Sequence, residues 1–381
     1  MPPRLSSFAP ILGSHLESWA GSGVPGSGFD FGSMALELFR IQFDSCPAYR
    51  RLCEMSGVSA ESVRTWEAIP SVPTVAFQEL ELSSIPAGDR IAVFHSSGTS
   101  GQRPSRHFHS RESLALDGAS LRGGFERGVL GLGGATVGED GLQPCDGEGR
   151  ALLLSLTPPT GSVPRSSLVH MIESMMGRRG GVGSCFAGRL REDGSWEVGF
   201  EEVRRVFADA TDCGRPVVVL GTAFNLVHLL EHFEDAPLSR PLPAGSRVME
   251  TGGYKGRSRE LTRDELHAGI SLRLGVPSWR IIGEYGMSEL SSQAYDAPVA
   301  GRGRERRFGF PPWARVLAIS PETGRPVRDG ETGLLRVLDL ANVWSVLAIQ
   351  TGDLGRVNGD TFELLGRASS VEPRGCSLMA A

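Results

Sequence analysis

Lysine is almost absent from this sequence. Lys255 is the only lysine among the 39 basic residues of the 381-residue chain, and arginine supplies all the others. An arginine-rich coding bias replaces lysine wherever a bare positive charge is sufficient. A surviving lysine therefore marks either chance or a narrow site that needs a compact ammonium group, which a guanidinium fork cannot mimic. Composition alone leaves both explanations open.

Other shortages exclude whole classes of protein. No apolar run approaches the roughly 20 residues of a membrane span, and the N-terminus lacks the basic start and apolar stretch of a signal peptide. The six cysteines show neither C-x-x-C nor metal-site spacing, as in reduced cytoplasmic proteins. The net charge of -5 gives no reason to expect a nucleic-acid partner. We therefore expect a cytoplasmic protein with no membrane span and no nucleic-acid partner.

Short apolar runs alternate with helical patterns along most of the chain. Residues 1–90 have mainly helical periodicity, and the segment 59–69, with a serine cap and an early glutamate, predicts one of these helices. Residues 91–300 repeat strand, loop and helix, which predicts an α/β sheet with helices on both faces. Residues 301–365 carry short strands between glycine turns and predict a small β-rich subdomain.

A loop rich in glycine and hydroxyl residues follows the first predicted strand of the α/β region. The eight residues from His95 to Gln102 include three serines, one threonine and two glycines. Because glycines allow close approach, backbone N–H groups and hydroxyls can surround phosphate oxygens there. The loop lacks the lysine of a Walker A motif. By itself it fits a glycine-serine hairpin equally well.

Three downstream motifs change the interpretation of this loop. They follow it in the order YGMSE at 285–289, TGD at 351–353 and GR at 366–367. Taken singly, TGD is typical of a β-turn, and YGMSE of a strand end with a helix cap. In this order, the loop and the three motifs resemble the adenylate-forming superfamily, which couples ATP to the activation of carboxylates.

The resemblance implies a role for each matching residue. The loop would hold the ATP phosphates through Ser96, Ser97, Gly98, Thr99, Ser100 and Gly101. Tyr285 would lie near the adenine, and Glu289 would bind Mg²⁺, since a carboxylate suits a hard cation. Asp353 and Arg367 would hold the ribose hydroxyls. The remaining cofactor-binding positions implied are Gly252, Gly253, Gly286 and Ser288.

The chain departs from the superfamily pattern in two places. Where the loop usually carries Pro-Lys, this chain has Arg103, Pro104, Ser105 and Arg106, and either arginine is a candidate for a phosphate contact. The chain also stops about 14 residues after Arg367. We therefore expect the mobile C-terminal domain, with its catalytic lysine, to be largely absent, and residues 366–381 to form a hinge and tail. The group that polarises the carboxylate must then come from elsewhere.

A closer resemblance, to the acyl-protein synthetase family of long-chain-fatty-acid–luciferin-component ligases, rests on four segments. They are LLLSLTPPTGSVPRSSLVHMIESMM, VVVLGTAFNLV, METGGYKGR and the terminal RGCSL. In that family an acyl-adenylate forms, and the acyl group then moves to a cysteine near the C-terminus, which matches Cys376. Arg374 beside it would lower the thiol pKa. Without the resemblance, Cys376 would be interpreted as an inert terminal cysteine.

Lys255 acquires a hypothetical role from its place in T-G-G-Y-K-G, after a predicted strand. The superfamily builds the wall of its adenine and acyl pocket there. We hypothesise that Lys255 neutralises the carboxylate and the charge that develops at the α-phosphate, replacing the lysine of the missing domain. His95, His107 and His109 fit surface positions on loop and strand as well as a site, and their spacing indicates no metal site.

The sequence as a whole predicts an adenylate-forming enzyme with a large α/β domain of layered sheets and helices. It would use ATP and Mg²⁺ to activate a carboxylic acid, a long-chain fatty acid by resemblance. The acyl group would load onto Cys376 and pass to a reductase or another acyl-accepting partner protein. Two alternatives stay open: a ligase that uses coenzyme A or another small nucleophile, with Cys376 dispensable, and a non-catalytic binding module that keeps the fold.

Overall fold

The computed structural model describes residues 2–96, 103–132, 145–146, 148–252, 261–296 and 306–368. The chain forms two compact units. The first unit contains residues 1–123, 287–293 and 307–381, and the second contains residues 124–286 and 294–306. The predicted segment boundaries at 90, 300 and 365 rest on changes in the pattern of predicted helices and strands, and they stay predictions.

Helices form the N-terminal part of the first unit. They are α1 (Pro3–Ser22), α2 (Phe31–Ser45), α3 (Pro47–Met55) and the short α4 (Ala76–Glu79), with 3₁₀ turns at Trp66–Ala68 and Ala87–Asp89. Leu5, Leu12 and Leu16 are fully buried on one side of α1, as their spacing along an amphipathic helix requires. The Asp30 side chain begins α2 by accepting a hydrogen bond from the Ser33 N–H.

The predicted helix at residues 59–69 is wrong. The structure has turns there and only the 3₁₀ turn at Trp66–Ala68. The Ser62 hydroxyl donates to the Ser59 carbonyl and accepts from the Ser59 N–H. A local serine-to-backbone bond of this kind offers the chain an alternative to the helix ladder.

Strands form the rest of the first unit. The hairpin β2 (Ala92–His95) and β3 (Arg106–His109) pairs His95 with Arg106 at the ends that carry the glycine-serine loop. Five further strands of this unit are β12 (Phe308–Gly309), β13 (Ala314–Ile319), β14 (Thr332–Asp339), β15 (Ala348–Asn358) and β16 (Thr361–Arg367). They pair antiparallel in the order β13-β14-β15-β16-β12, and β1 (Val72–Pro73) is parallel to β15.

The strands of the second unit's main sheet are β4 (Leu152–Ser155), β5 (Cys185–Phe186), β8 (Val217–Thr222), β9 (Arg247–Thr251), β10 (Ile281–Tyr285) and β11 (Ala294–Tyr295). They pair in parallel in the order β5-β4-β8-β9-β10, and β11 is antiparallel to β10. Every residue of β4, β8, β9 and β10 is buried, as is usual for parallel strands covered on both faces.

Helices alternate with these strands, as the sequence predicts. They are α6 (Ser167–Arg179), α7 (Phe200–Asp212), α8 (Ala223–Asp235) and α9 (Arg263–Leu274), with a 3₁₀ turn at Ser278–Arg280 and a small hairpin of β6 (Gly188–Leu190) and β7 (Trp196–Val198). Helix α5 (Arg111–Gly128) contains the division between the units at residue 123. No helix within the described ranges is long and apolar enough to cross a membrane.

Candidate active site

Hydrogen bonds fix the two ends of the glycine-serine loop in the first unit. The Ser96 hydroxyl accepts a hydrogen bond of 2.9 Å from the Ser105 N–H. The Ser288 hydroxyl donates to the His95 carbonyl at 3.1 Å. These bonds hold β2, β3 and the end of the YGMSE motif against one another. The central loop residues Ser97, Gly98, Thr99, Ser100 and Gly101 lie outside the described residues.

Glu289 follows Ser288 and carries a buried carboxyl group. Its residue is 5% exposed, and its main-chain carbonyl accepts a hydrogen bond of 2.8 Å from the Asn342 side chain. Burial raises the pKa of this carboxyl, while the Ser105 hydroxyl and the positive charge of Arg367 oppose the rise. The part of the chain that the structure describes shows no arginine ion pair to Glu289. A buried oxygen donor in these surroundings fits a hard divalent cation.

Asp353 and Arg367 face each other on β15 and β16. They are register partners of the antiparallel pair, and the Arg367 Nε lies 3.3 Å from Asp353 Oδ1. The Asp353 side chain is mostly buried, whereas that of Arg367 is 82% exposed. The structure therefore places a hydrogen-bond acceptor and a donor side by side, the pair that a ribose diol needs. The first unit brings Ser96, Ser288, Glu289, Asp353 and Arg367 into one neighbourhood.

The other predicted positions lie at the carboxyl edge of the parallel sheet in the second unit. Gly252 directly follows β9, Tyr285 ends β10 and Gly286 comes next. The two strands are neighbours, with Thr251 opposite Glu284, so the two motifs meet at the edge where ligands bind in open α/β sheets. The Tyr285 side chain is buried. Gly253, Lys255 and Cys376 lie outside the described residues.

A buried network of charged groups supports this edge of the second unit. The Arg263 Nε lies 3.1 Å from Glu250 Oε1, and Arg263 and Arg306 both pair with the fully buried Asp296. Burial raises the pKa of Glu284 to about 7, and nearby Glu250 adds to the rise while the Thr251 hydroxyl opposes it. Glu284 directly precedes the YGMSE motif in β10, and no sequence motif marks it as a site residue.

The structure buries two histidines of β3, for which the sequence left a surface position and a site position equally open. His107 and His109 are 6% and 8% exposed. Side chains alternate between the two faces of a strand, so R-H-F-H directs both histidines to one face, and this signal was available in the sequence. Burial lowers the pKa of His107 to about 3, so its ring is uncharged at neutral pH. No group of three or more His, Cys, Asp or Glu residues in the described ranges is arranged for a metal.

Comparison with solved structures identifies the fold. It matches a 2-hydroxyisobutyryl-CoA ligase, solved in an open conformation with 2-HIB-AMP and CoA, at a TM-score of 0.58 and 16% identity. The match covers 87% of this chain and 74% of that one. The same ligase in its postadenylation state with R3-HIB-AMP matches at a TM-score of 0.59 and 15% identity, over 88% and 66%. The chain therefore has the fold of an acyl-adenylate-forming ligase, as predicted.

Sequence comparison identifies the family. Long-chain-fatty-acid–luciferin-component ligase of Aliivibrio fischeri is 23% identical over 361 residues, covering 91% of this chain and 86% of the relative. The enzyme of that name from Vibrio harveyi is 22% identical over 352 residues, covering 89% and 84%. The family described as acyl-protein synthetase, LuxE, matches residues 191–381, half of the chain. The chain belongs to this family.

Family membership confirms the predicted activity class. The protein is an enzyme, a ligase of the acyl-protein synthetase kind, which activates and transfers acyl groups. The alternative of a non-catalytic binding module is left without support. The roles of individual residues stay predictions and are taken up below.

Proposed function

We propose that this enzyme uses ATP to activate a long-chain fatty acid as its acyl-adenylate, transfers the acyl group to Cys376 and delivers it to a partner protein. One observation carries the nucleotide half of this proposal. The loop is closed by the Ser96–Ser105 and Ser288–His95 hydrogen bonds, and the buried Glu289 carboxyl follows directly after Ser288. The acid and the protein acceptor are proposed from the names of the two relatives, both long-chain-fatty-acid–luciferin-component ligases.

The first half-reaction requires correct positioning of the two substrates and stabilisation of negative charge. A carboxylate oxygen attacks the α-phosphorus of ATP in line, the new O–P bond forms, and pyrophosphate leaves. Since no proton needs to move in this step, orientation and electrostatic stabilisation supply the rate. Loop N–H groups and hydroxyls would hold the phosphates, Asp353 would accept from the ribose hydroxyls, and Arg367 would fix the Asp353 carboxylate, which it already contacts.

Glu289 is the residue that would hold Mg²⁺. Its carboxyl is buried, and its raised pKa reflects the cost of keeping an anion there without a close cation. A bound Mg²⁺ would neutralise phosphate charge in the first half-reaction. We further propose that Lys255 contributes its compact ammonium to the carboxylate and the α-phosphate, where negative charge develops.

The second half-reaction uses Cys376 as nucleophile. Its thiolate attacks the acyl carbon of the adenylate, a thioester forms and AMP leaves with the bonding electron pair. Arg374, two residues earlier in the sequence, would favour the thiolate. A partner nucleophile then takes the acyl group and regenerates the thiol. We propose that both half-reactions take place in the cytoplasm, as the reduced state of this thiol requires.

Intact-mass spectrometry and pyrophosphate exchange test the two half-reactions separately. The protein is incubated with ATP, Mg²⁺ and a panel of fatty and aryl acids. We expect acid-dependent pyrophosphate exchange, and a mass increase equal to the acyl group that Cys376→Ser abolishes while exchange persists. Cys213→Ser, which removes an exposed thiol, is the matched control and should acylate normally.

The same assay decides between the proposal and the coenzyme A alternative. An acyl-CoA product formed equally well by Cys376→Ser, with no protein adduct in the wild type, would establish the small-nucleophile ligase instead. Complete absence of exchange with every acid would contradict the adenylation step itself.

A further inference from the structure

A buried nitrogen without a hydrogen-bond partner lies beside Glu289. His107 Nε2 is 3.9 Å from Glu289 Oε1, and both side chains are 6% exposed. Among the described residues, this nitrogen finds no donor or acceptor. A buried polar atom without a partner is destabilising, so the structure must contain or bind something that satisfies this nitrogen.

The surroundings of His107 hold its ring in place. The ring stacks on the fully buried Phe77, with centroids 4.6 Å apart and planes inclined by 27°. Its backbone pairs with Phe94 in the β2–β3 hairpin. A stacked ring on a paired strand has little freedom to turn Nε2 elsewhere. Burial also disfavours the charged imidazolium, so the nitrogen presents either a lone pair or a single N–H to the carboxyl.

The distance between the His107 and Glu289 side chains helps to decide whether a direct hydrogen bond, an ion or a water joins them. At 3.9 Å the gap is too long for a hydrogen bond. It is slightly shorter than two metal–ligand bonds of about 2.1 Å placed end to end, so one ion fits between nitrogen and oxygen. A water is the competing explanation, because His107 also borders a small pocket lined by Ser288 and Trp344.

We propose that His107 is a second protein ligand of the divalent cation held by Glu289. The inference rests on the proposed function, which assigns a cation to Glu289, and it changes the character of that site from all-oxygen to mixed nitrogen and oxygen. Imidazole ligands favour first-row transition metals, whereas Mg²⁺ prefers oxygen. The site therefore discriminates in favour of ions such as Mn²⁺ relative to an oxygen-only site.

Pulsed electron paramagnetic resonance on the full-length protein tests the inference with Mn²⁺ and a non-hydrolysable ATP analogue. The wild type should show ¹⁴N modulation from a coordinated imidazole, and protein grown with ¹⁵N-histidine should lose that ¹⁴N pattern without any substitution. His107→Gln should lose the nitrogen coupling and bind Mn²⁺ about 10-fold more weakly. Its affinity for Mg²⁺, measured by competition, should fall much less.

His109→Gln is the matched control. His109 points to the same face of β3, but its ring lies against Phe94 with the two planes tilted by 50° and contacts the Ser113 hydroxyl. This variant should therefore keep both the coupling and the affinity. Bound Mn²⁺ without nitrogen coupling in the wild type, coupling that survives His107→Gln, or failure of Mn²⁺ to bind would each overturn the inference. Nitrogen coupling without acid-dependent pyrophosphate exchange would instead overturn the proposed function and leave the metal site standing.

Discussion

At the scale of single residues, burial determines whether ionisable side chains of the first unit are charged. The carboxyl of Glu289 and the imidazole of His107 are both driven toward their uncharged forms by desolvation. A cation bound between them would reverse this for the carboxylate, because a nearby positive charge restores the ionised form. Glu289 is identified by its motif. His107 is not, since its neighbour Phe77 comes 30 residues earlier and the packing between them appears only in the fold.

Lys255→Arg should abolish formation of the acyl-adenylate. The substitution keeps the positive charge but replaces a compact ammonium by a planar fork that is too broad for a narrow site. Removing one electrostatic contact to a developing charge typically costs 10²–10³ in rate, so pyrophosphate exchange should fall by about that factor. Thermal unfolding should be unchanged.

An arginine-to-lysine substitution at an exposed position provides the control for this prediction. Arg191→Lys alters an exposed arginine that pairs with Glu197 on the small hairpin and should leave pyrophosphate exchange at the wild-type rate. Near-normal exchange by Lys255→Arg would remove the proposed role and make chance survival of the lysine the better interpretation.

At the scale of elements, hydrophobic periodicity locates helices and strands well where local and tertiary preferences agree. The strand and helix pattern predicted for residues 91–300 is seen in β3, Arg106–His109, and in α5, Arg111–Gly128. The segment 59–69 fails because the Ser62 hydroxyl competes for the backbone. Sequence order brings no information on register, so the pairing of Asp353 with Arg367 could not be predicted from the spacing of TGD and GR.

Ser288→Ala should weaken ATP binding. The variant loses the hydrogen bond from the Ser288 hydroxyl to the His95 carbonyl, which ties the YGMSE motif to the strand that leads into the loop. A net hydrogen bond is worth about 1 kcal/mol, so the KM for ATP should rise about five-fold at an unchanged KM for the acid. Steady-state kinetics with each substrate varied in turn gives both constants.

A serine beyond the other end of β3 separates this effect from general destabilisation. The Ser113 hydroxyl accepts from the Ser110 N–H at 2.8 Å and lies at the start of α5. Ser113→Ala should lower thermal stability while leaving the KM for ATP unchanged. A rise of the KM for ATP in Ser113→Ala equal to that in Ser288→Ala would show that the hairpin responds as a whole and that the Ser288 contact has no special role.

At the scale of the whole molecule, the two units interrupt each other along the chain. The chain changes unit after residues 123, 286, 293 and 306, and the change at 286 divides the YGMSE motif. Tyr285 and Gly286 therefore belong to the parallel sheet, whereas Ser288 and Glu289 belong to the first unit. The sequence predicts the α/β character of the fold from its repeated strand–loop–helix pattern. It cannot reveal this division, because contacts between distant segments define the units.

The stability of the whole molecule should depend on pH through its buried ionisable groups. Burial raises the pKa of Asp117 to about 8, with repulsion from Asp339 adding to the rise, and that of Glu284 to about 7. Burial lowers the pKa of His107 to about 3. The unfolded carboxyls release their protons near pH 4 and the folded ones only near neutrality, so these groups make stability fall as pH rises between those values.

His107 has the opposite effect on the free energy of unfolding, and it acts at lower pH than the carboxyls. Unfolded His107 takes up a proton below about pH 6.5 while the folded ring stays neutral, so stability increases as pH rises toward 6.5 and then gains nothing more. Above that pH, of these three groups, the two carboxyls alone affect stability. The free energy of unfolding of the metal-free protein, measured by denaturant titration at each pH, should therefore decline between pH 6.5 and 8.5.

Asp117→Asn should reduce this decline by at least about 1.4 kcal/mol, the free energy of one pKa unit, because the amide keeps the shape of the protonated acid and has no proton to lose. Asp44→Asn, which alters an exposed carboxylate paired with Arg4, should reproduce the wild-type slope. Stability that rises from pH 6.5 to 8.5, or an Asp117→Asn slope equal to that of the wild type, would show that Asp117 is ionised in the folded protein. The hydrogen-bonded network of Ser120, Ser292, Asp339 and Trp313 would then have to accommodate the negative charges of both Asp117 and Asp339, which repel each other.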